Sequence, residues 1–188
     1  MKVSILSALT LGLATSTLAA PTAVVERDLP TITNVLSGIG TKVDALGTAL
    51  QGYSGGGVTQ VQQASDNLVS AINSGNNQVR GTGPLSATDA LGLPGPVNDL
   101  KNKIAGVVDQ LDGKKSLLVA AGKGTQTYND LVEQKAAAKT LSDTIVGKVP
   151  DSLQGLAGTV AGGISEAIET GVKEFADQAA KKRDACPV

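Results

Sequence analysis

The stretch DLPTITNVLSGIGTKVDALGTALQGY, residues 28–53, decides the fold. Leu29, Ile32, Leu36, Ile39, Val43, Leu46, Leu50 and Tyr53 follow one another at alternating steps of three and four. At 3.6 residues per turn, this spacing draws a single apolar stripe down a helix. Asp28 stands where a capping residue belongs, and Pro30 suits a first turn, where its missing N–H costs nothing. Ser54-Gly55-Gly56-Gly57 ends the helix as a loop.

The same grammar recurs downstream. Val58, Val61, Leu68, Ile72 and Val79 mark a second helix, closed by Gly81-Thr82-Gly83-Pro84. Ser86-Ala87-Thr88-Asp89 is a capping-box pattern that opens a short extra helix near Ser86 to Leu91. Val97, Leu100, Ile104, Val107, Leu111 and Leu118 read as one long third helix ending near Gly122-Lys123-Gly124. Thr127 and Asp130 suggest a cap for a fourth, carrying Leu131, Gln134, Ala138, Leu141 and Ile145. Pro150 and Asp151 start a fifth, with Leu153, Leu156, Val160, Ile164, Ile168, Val172 and Phe175 on its stripe. No segment alternates with the period of two that a strand needs. Stripes of this kind must be buried against each other. The sequence therefore predicts an all-α fold: a single helical bundle of five main helices plus a short extra helix, over residues 28–180.

The ends read differently. Residues 1–19 have the form of a signal peptide, with Lys2 before a short apolar run and Thr17-Leu18-Ala19 before a cut. Residues 20–27 read as a flexible leader and 181–188 as a basic C-terminal tail holding the single cysteine, Cys186. Lys182-Arg183 resembles a dibasic processing site, and cations there also suit a helix end. Loss of Lys2 with the signal takes the net charge from −1 to −2. No later apolar run approaches the ~18 residues of a membrane span. The expected location is secreted and extracellular, in association with a cell wall.

The composition excludes most chemistry. The chain has no histidine, so it lacks Ser-His-Asp and Cys-His nucleophiles. Gly163-Ile164-Ser165-Glu166-Ala167 approaches the nucleophile-elbow pattern but ends in alanine and lies inside a helical stripe. Gly122-Lys123-Gly124-Thr125 looks like the end of a phosphate loop, but Leu117 occupies the position of its first glycine, so it reads as a helix–helix turn. No grouping has the spacing of a zinc or calcium site. Two tyrosines and one phenylalanine, without a basic face, give little for a sugar or nucleic acid to stack on. The chain reads as a non-enzyme with no cofactor, no metal and no nucleic-acid partner.

The glycines are unusual. Gly38, Gly40, Gly47, Gly106, Gly113, Gly147, Gly155, Gly158, Gly162, Gly163 and Gly171 fall in or near the helices. An exposed interior glycine costs roughly 0.8–1 kcal/mol against alanine. Either small residues allow helices to approach closely, or the bundle is held loosely enough to open. Gly47, Gly113 and Gly171 are the positions expected to tolerate a methyl group.

Residues 28–50, Leu85–Val97, Lys114–Gly122, and Gln134–Ala138 running on to Lys148–Leu153 together resemble the fungal hydrophobic surface-binding protein A family, also called cell wall galactomannoproteins. The resemblance implies a secreted amphipathic helical protein that adsorbs to hydrophobic surfaces and helps secreted polymer-degrading hydrolases reach them. It also implies long-chain fatty acid binding in the bundle interior. The expected partners are fatty acids or other hydrophobic ligands and surfaces. The candidate lipid-lining residues are Leu36, Ile39, Val43, Leu68, Ile72, Ile104, Leu141, Ile145, Val160 and Ile164. The alternative is a structural wall mannoprotein whose bundle scaffolds O-linked glycans.

Overall fold

The computed structural model describes residues 28–179. The stretches that the sequence reads as signal peptide, leader and basic tail, with Cys186, lie outside the described residues. The helices are α1 (Asp28–Gly52), α2 (Thr59–Arg80), α3 (Ala87–Ala90), α4 (Pro94–Gly113), α5 (Lys115–Ala120), α6 (Gly124–Val146) and α7 (Asp151–Glu174). One further turn follows at 176–179, and no strand occurs among the described residues.

The five long helices are those the stripes predict. In the founding stripe, Ile32 to Tyr53 are all buried and Leu29 packs partly against the core. Ser86 caps α3 as its motif requires, its Oγ accepting the Asp89 N–H at 3.1 Å. Two readings need correction. The third helix is not continuous, because it breaks at Lys114 into α4 and α5. Gly113 weakens that point, and the Lys114 ammonium leaves to donate to the Tyr53 carbonyl at 2.7 Å, satisfying an acceptor beyond the end of α1. The fourth helix begins at Gly124, not Thr127, whose hydroxyl donates back to the Lys123 carbonyl at 3.0 Å inside the first turn.

The long helices close a ring. α2 packs on α1, α1 on α4, α4 on α7, α7 on α6, and α6 returns to α2. Gly40 lies beside Leu100 and Lys103, and Gly47 beside Val107, so α1 and α4 run parallel. Gly163 faces Lys101 and Gly171 faces Val108, so α4 and α7 also run parallel. The bonds from Gln134 to Ser65 and from Thr144 to Asn76 set α2 and α6 parallel. Simple up-and-down neighbours would give only antiparallel pairs. Here residues 81–93, with α3, carry the chain past α1, and residues 114–123, with α5, carry it past α7. These links hold the two short helices because each must cross a neighbouring helix end. A ring of five helices encloses an axis that no helix occupies, and this axis positions the site.

Candidate functional site

A cavity of about 50 Å³ lies on that axis, lined from all five long helices. Nine of the ten predicted residues meet there: Leu36, Ile39 and Val43 from α1, Leu68 and Ile72 from α2, Ile104 from α4, Leu141 and Ile145 from α6, and Ile164 from α7. Val160 does not. It lines a second void of about 20 Å³, at the end of the bundle built by α3 and the starts of α4 and α7. Val160 lies one turn before Ile164, in a stretch of α7, residues 151–160, with no fully buried side chain. That stretch carries Leu156, 54% exposed, beside Leu91, 62% exposed, and both rim the second void.

Sequence reasoning missed other lining residues. Leu46, Leu111, Leu131 and Ile168 lie on the same stripes, one or more turns away from the named positions. Gln134 and Ser142 are the polar exceptions in this wall, both buried. The signal for Gln134 was its place in an otherwise apolar stripe. Its Nε2 donates to Ser65 Oγ at 2.9 Å, which removes part of the burial cost and ties α6 to α2.

A third void of about 40 Å³ extends the axis at the other end, sharing Leu46, Leu111, Leu131 and Gln134 with the central one. This end is polar, with Gln62, Ser65, Lys123, Thr127 and Asp130 in its wall. Local geometry places Lys123 there. The Gly122 N–H bonds the Val119 carbonyl at 2.9 Å, and the Lys123 N–H bonds the Leu118 carbonyl at 2.8 Å. That pair is a Schellman closure of α5. It needs a left-handed residue, and Gly122 supplies it at φ +72°. Lys123 Nζ donates to Gln126 Oε1 at 3.0 Å. Gln126 Nε2 donates to Gln62 Oε1, and Gln62 Nε2 reaches Asp130 Oδ2 at 3.3 Å and Asp66 Oδ1 at 3.2 Å. Burial pushes the Asp130 carboxyl above its ordinary value of 3.8; the Gln62 bond opposes this, Asp66 and Glu133 add to it, and Lys123 opposes it.

Among the described residues, the central wall carries no titratable side chain. What it offers is apolar area with two hydrogen-bonding groups. Among the described residues, no helix is long and apolar enough to cross a membrane.

The sequence profile of the family described as "Hydrophobic surface binding protein A" matches residues 29–147. The chain belongs to that family. The profile of hydrophobic surface binding protein A spans α1 to α6, and α7 completes the ring. Cell wall mannoprotein 1 of Aspergillus flavus is 41% identical over 89% of this chain, and that of Aspergillus fumigatus 43% over 90%. The chain spans 61% and 59% of their respective lengths. Ligand binding domains 1 and 2 of the MP1 protein of Penicillium marneffei, both solved in complex with arachidonic acids, superpose with TM-scores of 0.75 and 0.76. They are 32% and 33% identical to this chain, covering 79% and 81% of it and 99% and 98% of themselves.

Proposed function

We propose that this chain binds long-chain fatty acids along its bundle axis and uses the same apolar faces to adsorb to hydrophobic surfaces. The observation that carries the reading is the convergence of five apolar stripes on one enclosed void whose polar wall groups are Gln134 and Ser142. The likeness to domains solved with arachidonic acids supports it. Secretion to the cell wall or its surroundings belongs to this reading, as does help to secreted polymer-degrading hydrolases at oily substrates.

The cavity volume adds a condition. An engineered apolar cavity of ~150 Å³ binds benzene. A void of about 50 Å³ is smaller than that, and a fatty acid has a far longer hydrocarbon. Binding must therefore widen the ring. Burial of ligand returns about 25 cal/mol per Å² of apolar surface, which offsets the cost of parting the helices.

The test is displacement of a fluorescent fatty acid from the mature, unglycosylated protein. Ile39→Trp and Ile145→Trp fill the void from opposite sides of the ring. Binding by the parent with at least tenfold loss in the folded variants is the expected result. Unchanged affinity in folded variants rules out the interior site and leaves adsorption alone. A parent that binds no fatty acid and no oily bead favours the wall-scaffold alternative, which draws on the mannoprotein names of the relatives.

A further inference from the structure

We infer that a fatty acid lies along the axis in one direction, its carboxylate held by Lys123 at the α5–α6 end and its tail running toward α3 and the start of α7. This inference rests on the lipid-binding reading above and adds an orientation and a headgroup-selecting residue to it.

The two ends of the axis differ in kind. The α3–α7 void is walled by alanine, leucine, valine, isoleucine and proline alone. A carboxylate there would lose its hydration with no donor in return. The α5–α6 void shares Leu46, Leu111, Leu131 and Gln134 with the central one and holds Lys123, the one cation among the described residues in the walls of the three axial voids. The Thr127 hydroxyl and the Gln62 amide stand in the same wall. Lys123 is the N-cap residue of α6, which has no side-chain cap bond, so the positive end of the helix dipole adds to the lysine charge. The Lys123 ammonium now donates to a neutral amide oxygen, Gln126 Oε1. A ligand carboxylate in that place replaces an ion–dipole bond with an ion pair, the stronger of the two. The same exchange frees Gln126 from the lysine and leaves its bond to Gln62 in place. Asp130 in this wall repels a carboxylate, so the headgroup must sit on the Lys123 side of this end.

The experiment compares hexadecanoic acid with 1-hexadecanol, equal in chain length and different in charge, by displacement from the full mature chain at neutral pH. Lys123→Met and Lys123→Arg are measured beside the parent, with circular dichroism as the check on folding. The expected result is a loss of about tenfold for the acid in Lys123→Met, matching one charge-assisted hydrogen bond. The alcohol should change less than twofold, and Lys123→Arg should keep the acid within about threefold. Equal losses for acid and alcohol, or no loss for either, overturn the orientation while the lipid-binding reading stands. If Lys123→Met does not fold, Lys123→Gln takes its place: loss of acid preference in the folded variant supports the inference and unchanged acid preference overturns it. A parent that binds neither probe removes both readings together.

Discussion

At the scale of single residues, the most informative are those that break the apolar rule. Asp130 is one. Its carboxyl is held above the ordinary 3.8, first by burial, so its ionised form is less stable in the folded chain than in the unfolded one. That penalty is absent below 3.8 and complete above the folded value, so its share of stability rises as pH falls through this window. Asp130→Asn keeps an oxygen for Gln62 and carries no charge. Its melting temperature should exceed that of the parent at neutral pH, with the gap closing toward pH 4. A constant gap across that range would contradict this account. Glu169 and Asp177 are shifted the other way, chiefly by their bonds to Lys135 and Lys115, and their contribution is lost as pH falls. Both chains share that loss, so it cancels in the difference. Gly75 is a second such residue. A β-carbon there would meet Val35 Cγ1 at 2.5 Å, so α1 and α2 close on a bare backbone. Gly75→Ala should lower stability by about 1–3 kcal/mol, as overpacking does, measured by urea unfolding.

At the scale of helices, the glycines divide into two groups. Gly47 and Gly171 are tight positions, where a methyl group requires the neighbouring side chain to move by a few tenths of an ångström. A β-carbon would lie 3.1 Å from Val107 Cγ2 at the first and 3.3 Å from Leu131 Cδ2 at the second. These two serve close helix approach. Gly113 is open as expected, and so are Gly38, Gly106 and Gly158, which stand exposed inside their helices with no atom within 4 Å. Together, Gly38→Ala, Gly106→Ala and Gly158→Ala should raise stability by up to about 1 kcal/mol each. If the ring must open to spread on oil, the triple variant should also adsorb to hydrophobic beads more slowly. A higher melting point with unchanged adsorption would show that the closed bundle suffices. The start of α7 bears on the same question. Residues 151–160 bury no side chain fully, and Leu156 and Leu91 stand exposed over the apolar end of the axis. On the proposed adsorption, this end is where an oily surface would first meet hydrocarbon. Leu91→Ser with Leu156→Ser should reduce bead adsorption severalfold while leaving the melting temperature within a few degrees, since neither side chain belongs to the core. Equal adsorption by this variant would move first contact elsewhere on the bundle.

At the scale of the whole molecule, ring closure governs both fold and site. Stripe spacing, capping at Ser86 and the stop at Pro150 are local signals, because each depends on residues within a turn or two. They determined the number of long helices, the short α3 and the apolar face of each helix. Nine of the ten lining residues named from sequence also fall on the axis, since a stripe residue near mid-helix faces the centre of any bundle. Only the tertiary structure decided which helices are neighbours. The order α2, α1, α4, α7, α6 arises from long-range contacts and from links that cross helix ends, and helical period carries no record of either. It also decided that Val160 leaves the central void, because α7 is less deeply packed at its start. The break at Lys114 belongs here too, since its ammonium is drawn to a carbonyl on a segment sixty-one positions earlier. The polar end of the axis was out of reach for the same reason. Gln62, Ser65, Lys123, Asp130 and Gln134 are ordinary polar residues in sequence, and they become one wall only when α2 and α6 run side by side.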